Sequence, residues 1–195
     1  MVSRPRRLFC FMRMHRSHSE AGSVLARAAD WVGAALSLVY PEVCEFCGAE
    51  RAGPREGFVG ESCRRAAGHV RRVQAPWCER CGLPYEGEFE GQFVCSNCAG
   101  LSLGFRKARA ALESTPFLLE VIHRYKYGGA LWLEAFLAPF LVEAAGPDVM
   151  QEGCDGIVAV PLHPVRERER EFNQAERLAA HLARATGIPL ERGLL

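Results

Sequence analysis

Seven cysteines between residues 44 and 98 follow a spacing that suits a soft metal ion. Cys44-x-x-Cys47-Gly48 is echoed by Cys78-x-x-Cys81-Gly82 at an offset of 34, and Cys63 is echoed by Cys98 at an offset of 35. Two tandem copies of one small module are therefore expected. Zinc asks for four ligands at the corners of a tetrahedron. A Cys-x-x-Cys turn closed by glycine places two thiolates on one knuckle, because glycine takes up the left-handed backbone required there. The second module supplies the whole set, Cys78, Cys81, Cys95 and Cys98, with 13 residues between its knuckles. Structural zinc is the expectation. A redox Cys-x-x-Cys comes singly and opens a helix, whereas these pairs are matched and followed by glycine. The first module holds Cys44, Cys47 and Cys63, but Gly60 stands where the second has Cys95. Two readings stay open for it: zinc completed by Glu61 or His69, or a degenerate ribbon held by packing against its sister. A catalytic zinc would keep three protein ligands and an open water position, yet no His-Glu cluster or general base stands near the module. Cys10 and Cys154 fall outside the register, and Cys154 reads as an ordinary, partly buried thiol.

These knuckles must be carried by something larger. The chain has 195 residues, 49% of them hydrophobic and 24% charged, which suits one full domain or two small ones and excludes wholesale disorder. Its net charge of +1 gives no global signature of polyanion binding. The positive charge is uneven: residues 1–20 hold five arginines against Glu20, so they carry +4 and the remainder −3. Lys107 and Lys126 are the only lysines among 24 basic residues. Nine cysteines would suit either a secreted disulfide scaffold or a metal site in reducing surroundings. The apolar stretch from Val24 to Tyr40 is broken by Arg27 and Asp30, so neither a secretory signal nor a membrane span is expected. A soluble cytoplasmic protein with reduced thiols follows.

Residues 1–20 read as a disordered basic tail, with Met12 and Met14 as further candidate starts. Residues 21–40 read as an amphipathic helix, with Val24, Ala28, Trp31, Ala35 and Val39 at helical spacing and Pro41 as its stop. The ribbons occupy 41–100. From 101 to 195 the order strand, helix, strand, helix predicts an α/β domain. Phe105 to Glu113 is expected as a strand, and Pro116 to Ala145 as helix broken at Gly128-Gly129 and ended by Gly146-Pro147. Gly156 to Pro161 suits a buried parallel strand, and Asn173 to Thr186 a helix stopped by Gly187.

No Walker loop, G-x-G-x-x-G or G-x-S-x-G occurs after Phe105. Three strings stand out instead: Ile122-His123-Arg124-Tyr125-Lys126-Tyr127-Gly128-Gly129, then Asp155 through His163, then Arg166-Glu167-Arg168-Glu169-Arg170-Glu171-Phe172-Asn173-Gln174. With the paired Cys-x-x-Cys-Gly ribbons before them, from about Ser23 onward the chain resembles the ComF family. These are double zinc ribbon, phosphoribosyltransferase-like proteins linked to DNA uptake in competent bacteria.

The resemblance implies an N-terminal double zinc ribbon followed by an incomplete type I phosphoribosyltransferase-like domain. It implies that Lys126, Arg166 and Arg170, with Asn173 and Gln174 to cap or orient, line the side of a cleft where phosphoribosyl pyrophosphate would sit; arginine can hold phosphate oxygens bidentately. Read without it, Arg166 to Glu171 is a solvated face of alternating charge. Two departures stand out. Glu171 replaces the family's glycine before Phe172, and the family's acidic-Thr-Thr-Gly ribose-phosphate loop does not occur before Leu195. The expectation is a truncated ComF-like chain, a fragment or one part of an interrupted gene, inactive by itself and engaged with DNA-uptake or recombination proteins. Mg2+ would enter only if the transferase site were completed. Two alternatives accompany it: an active phosphoribosyltransferase if the gene continues, and a zinc-ribbon adaptor whose Arg64, Arg65, Arg71 and Arg72 form a nucleic-acid patch.

Overall fold

The computed structural model describes residues 42–88 and 91–194. The expected basic tail over 1–20, the amphipathic helix over 21–40 and Cys10 lie outside the described residues. Among those described, helices predominate over strands, and no helix is long and apolar enough to cross a membrane.

The first ribbon begins with an antiparallel bridge between Val43 and Arg51, closed by Cys44 N–H donating to Glu50 O (2.7 Å). Gly48 has φ +64° and donates to Cys44 O, the knuckle turn its position demands. The short helix α1 (Glu61–Arg65) follows and buries Cys63. Its N-cap is Gly60, which has no side chain to offer. Glu50 fills that role from twelve residues before Ser62, one carboxylate oxygen accepting from Ser62 N–H at 2.8 Å.

The second ribbon repeats the knuckle, with Gly82 at φ +72° donating to Cys78 O. A Cβ at Gly82 would lie 2.7 Å from Ala108 O, so only glycine lets the following segment approach. That segment, Phe105 to Glu113, is not the strand expected. Its backbone bonds are divided: Ala108 N–H goes to Arg80 O, while Val73 and Glu113 N–H pair it with residues 71–73. Two short partners leave no continuous ladder, and only an isolated bridge between Arg72 and Leu112 forms.

Helix α2 (Pro116–Tyr127) starts as its sequence dictates. Thr115 Oγ1 accepts from Leu118 N–H and donates to His69 O, and Pro116 takes the first position, where no N–H is needed. It stops at Gly128-Gly129, and a 3-10 turn (Leu131–Leu133) leads into α3 (Glu134–Gln151). Here Gly146-Pro147 fails to end the helix, which runs five residues past Gly146. Proline forfeits one i to i−4 bond, but α3 lies along α5 (Gln174–Thr186), with the Gly146 backbone against Thr186. Tertiary packing overrides the local break.

The parallel strand is real but short. β1 (Ile157–Val158) pairs in parallel with β2 (Leu190–Glu191), and the crossover carries α4 (Pro164–Arg170) and α5. It is not buried as expected: in this sheet of two short strands Val158 is 42% exposed, and Val160, two residues past the strand, 71%. One core joins the first ribbon to the helices. Cys44, Val59 and Cys63 pack with Val121, Tyr125, Leu133 and Phe136. The second ribbon has its own small cluster of Cys78, Cys95 and Cys98, with Phe93 and Leu103 at its margin.

Helix α5 has the expected bounds. Asn173 Oδ1 accepts from Ala175 and Glu176 N–H, and Nδ2 donates to Val160 O (3.1 Å), tying the cap to the segment that follows β1. Asn173→Ala is expected to destabilise the chain by about 1–2 kcal/mol, read as a lowered urea midpoint. Asn173→Asp keeps the cap but has no donor for Val160 O, so it should recover only part of that loss; an alanine variant as stable as the parent would refute this role.

Candidate metal centres

Two groups of thiols converge. The sulfurs of Cys78, Cys81, Cys95 and Cys98 all lie within 4.8 Å of one another, as do those of Cys44, Cys47 and Cys63. Cys81 and Cys95 sulfurs are 3.7 Å apart, and Cys44 and Cys63 sulfurs 3.6 Å. Zinc–sulfur bonds of about 2.3 Å at tetrahedral angles set thiolates about 3.8 Å apart, whereas a disulfide brings them to about 2.05 Å. The spacing is that of a shared ion. In both groups the donor set fits zinc, and the second group fits it completely.

Electrostatics agree. In the second group, N–H donors from Cys81, against the opposing effect of burial, and then from Cys95 and Arg80, lower the Cys78 thiol to about 6. Burial and the neighbouring thiols raise Cys98 to about 12 and push Cys95 up. The first group divides the same way. Burial works against ionisation of Cys44, but N–H donors from Gly60, Cys47 and Phe46 bring it to about 7; burial and the two other thiols raise Cys63 to about 12. One thiolate forms readily in each group, and further ionisation calls for a cation among the sulfurs.

Neither expected fourth ligand joins the first group. Glu61 pairs with Arg65 at 2.5 Å. His69 is turned away, its Nδ1 2.9 Å from Cys63 O and its ring stacked on Phe117 at 4.4 Å. Cys154 lies outside both groups and is exposed, not partly buried.

The residues expected to meet phosphate are partly gathered. Arg170, ending α4, stacks over the Tyr127 ring at 4.6 Å and donates to Gln174 Oε1 at 2.9 Å, while its buried Nε has no partner. Lys126 occupies the last turn of α2 beside Tyr127. Arg166 instead pairs with Glu169, and Asn173 is spent on capping α5. Glu171 takes the left-handed conformation (φ +64°) that a glycine would adopt without strain. The four arginines expected to form a nucleic-acid patch are engaged: Arg64 with Val59 O and Glu56 O, Arg65 with Glu61, Arg71 with Glu113 and Arg72 with Glu143. A cleft of about 390 Å³ between the second ribbon and α3 is likewise internally paired, Arg109 meeting Glu79 and Asp148 while stacking on Trp77.

One polar centre escaped the sequence reading. Glu134, 8% exposed at the start of α3, accepts from Tyr125 Oη (2.9 Å) on α2 and from both Nε and Nη2 of Arg177 on α5, with His181 Nε2 at 3.4 Å. Its only signal was a lone acid in the apolar run Leu131 to Leu141.

Comparison with known proteins follows this division. The double zinc ribbon domain family matches residues 35–99. Competence protein F of Haemophilus influenzae is 29% identical over 117 residues, covering 58% of this chain and 50% of that protein. Competence protein ComFC of Bacillus subtilis is 28% identical over 137 residues, covering 67% and 55%. The chain thus spans about half the length of the curated relatives it matches. No solved structure matches it.

Proposed function

From the assignment of this chain to the ComF family, we propose that it is a competence-type protein acting in DNA uptake or recombination. In this reading both ribbons hold structural zinc, through Cys44, Cys47 and Cys63 in the first and Cys78, Cys81, Cys95 and Cys98 in the second. They brace a phosphoribosyltransferase-like part that binds phosphate without turning over. In the second ribbon zinc supplies a rigid crosslink and no reaction step, since its four thiolates leave no vertex for water.

The observation that carries the phosphate reading is the meeting of three helix ends. Tyr127 ends α2, Arg170 ends α4 and Gln174 begins α5, and Arg170 touches both of the others. Arg170 is held by ring and amide with its guanidinium oriented, and Lys126 stands one residue from that ring. Together they would neutralise phosphate oxygens, Arg170 as a planar fork and Lys126 as a point charge. Transfer at an anomeric carbon also needs the ribose fixed and its developing charge stabilised. These 195 residues contain no acidic-Thr-Thr-Gly string to do so. Mg2+ would serve pyrophosphate only where such a loop is present.

The test has two arms. Calorimetric titration of the 195-residue polypeptide with phosphoribosyl pyrophosphate and Mg2+ should show no binding tighter than about 10 μM, roughly 7 kcal/mol. Tighter binding, abolished by Arg170→Ala, would overturn the inactive reading. For the cellular role, deleting the gene should lower the recovery of transformants with purified DNA; undiminished recovery would overturn it.

A further inference from the structure

We propose that Glu50 supplies the fourth ligand of the first ribbon, taking the place of the cysteine missing at position 60. The inference rests on the zinc reading of that ribbon given above. Its first support is the space itself. A Cβ built on Gly60, the counterpart of Cys95, would lie 3.1 Å from Cys44 Cβ and only 2.4 Å from Glu50 Oε2. The Glu50 carboxylate therefore stands in the volume that a cysteine side chain at 60 would fill.

The second support is backbone placement. Cys44 N–H donates to Glu50 O at 2.7 Å, closing the loop that carries both Cys44 and Cys47. Glu50 is thus part of the knuckle and moves with it. The third is chemistry: carboxylate oxygen is a regular zinc ligand, with bonds of about 2.0–2.2 Å. The two acceptors expected from sequence are engaged elsewhere, Glu61 with Arg65 and His69 with Cys63 O.

In the structure the carboxylate is held on Ser62 N–H and stands outside the cluster formed by the three sulfurs. Binding asks for rotation of the Glu50 side chain toward the sulfurs. A carboxylate has two oxygens with lone pairs on each, so one can keep the cap of α1 while the other meets the ion.

Glu50→Gln separates these roles. The amide oxygen still accepts from Ser62 N–H, but the side chain is no longer an anionic ligand. The full chain is stripped of metal and titrated with Co2+, followed by its d–d absorption, and then with Zn2+ in competition. The parent chain is expected to take two ions. Glu50→Gln should bind one of them more than about tenfold more weakly, at least the loss that a supporting residue around a metal causes, and should change the cobalt absorption of that site alone. Adding Gly60→Cys to Glu50→Gln should restore tight binding of the second ion with a four-thiolate spectrum.

If Glu50→Gln matches the parent in affinity and cobalt spectrum, Glu50 is a helix cap only and the assignment is overturned. A loss in Glu50→Gln that Gly60→Cys does not repair points to the fold of α1 and overturns it equally. A parent chain that takes one ion overturns the zinc reading of the first ribbon itself, and the role of Glu50 falls with it.

Discussion

Cys95→Ser is expected to remove one zinc ion per chain and to unfold the second ribbon while the helices stay native. The ribbon's own core is three cysteines with Phe93 and Leu103 at its edge, far too little apolar surface to offset the ordering of its backbone. Structural zinc contributes on the order of 10–16 kcal/mol of apparent binding energy in small fingers, so the ion is the main stabilising term here. Without the Cys95 thiolate, the tetrahedron around Cys78, Cys81 and Cys98 is broken. Metal analysis should read one zinc fewer, and amide exchange should become fast at Cys78, Glu79 and Gly82, whose N–H groups close the knuckle. Helix α5 should stay protected. Unchanged zinc content would sink the assignment.

Glu134→Ala should produce the largest loss among changes to charged residues of the helical part, Glu134 being the one buried charged side chain among the described residues. The variant deletes the acceptor shared by Tyr125, Arg177 and His181, and so disconnects α2, α3 and α5 at one point. Removing one partner of a buried pair costs about 3–5 kcal/mol; Arg177 is partly exposed and can turn to water, so about 3 kcal/mol is expected here. Acid should produce the same loss in the parent. Burial pushes the Glu134 carboxyl up, but Arg177, Tyr125 and His181 together outweigh it and hold it below its ordinary value of 4.5. A carboxyl depressed on folding stabilises fully above its unfolded value, and that contribution disappears as pH falls through the lower, folded value. The gap in urea midpoint between parent and variant should therefore be wide at neutral pH and should close well below pH 4.5. A gap of constant width across that range would show that the ionised carboxylate is not what holds the three helices.

What the sequence disclosed were the features set by neighbours along the chain. The thiol sets follow from knuckle spacing, α2 from Thr115-Pro116 and α5 from Asn173 and Gly187. What it concealed depends on contacts across the fold. The helix continued through Gly146-Pro147 because α5 lies against it. Phe105 to Glu113 lost its ladder because its bonding partners lie in two separate places. Strand β2 was missed because two residues give no periodicity. The neighbourhood of Gly60 was sought among residues just after it, Glu61 and His69, whereas the side chain against it belongs to Glu50 on the opposite limb of the turn. Glu134 gave no motif, since its three partners come from different helices.

The shared core of the first ribbon bears on how the two copies drift apart over generations. Cys44, Val59 and Cys63 are wedged against Val121, Leu133 and Phe136, so this copy keeps its shape through side-chain packing as well as through metal. A lineage that loses one thiol there still has a folded ancestor on which selection can act, and a compensating residue has time to arise. The second copy has no such scaffold beneath it: each of its four cysteines is indispensable in every generation. Docking one of the two modules on the helices should make their tolerance to mutation unequal. A glycine at position 60 beside an intact quartet downstream is the pattern such an asymmetry would leave.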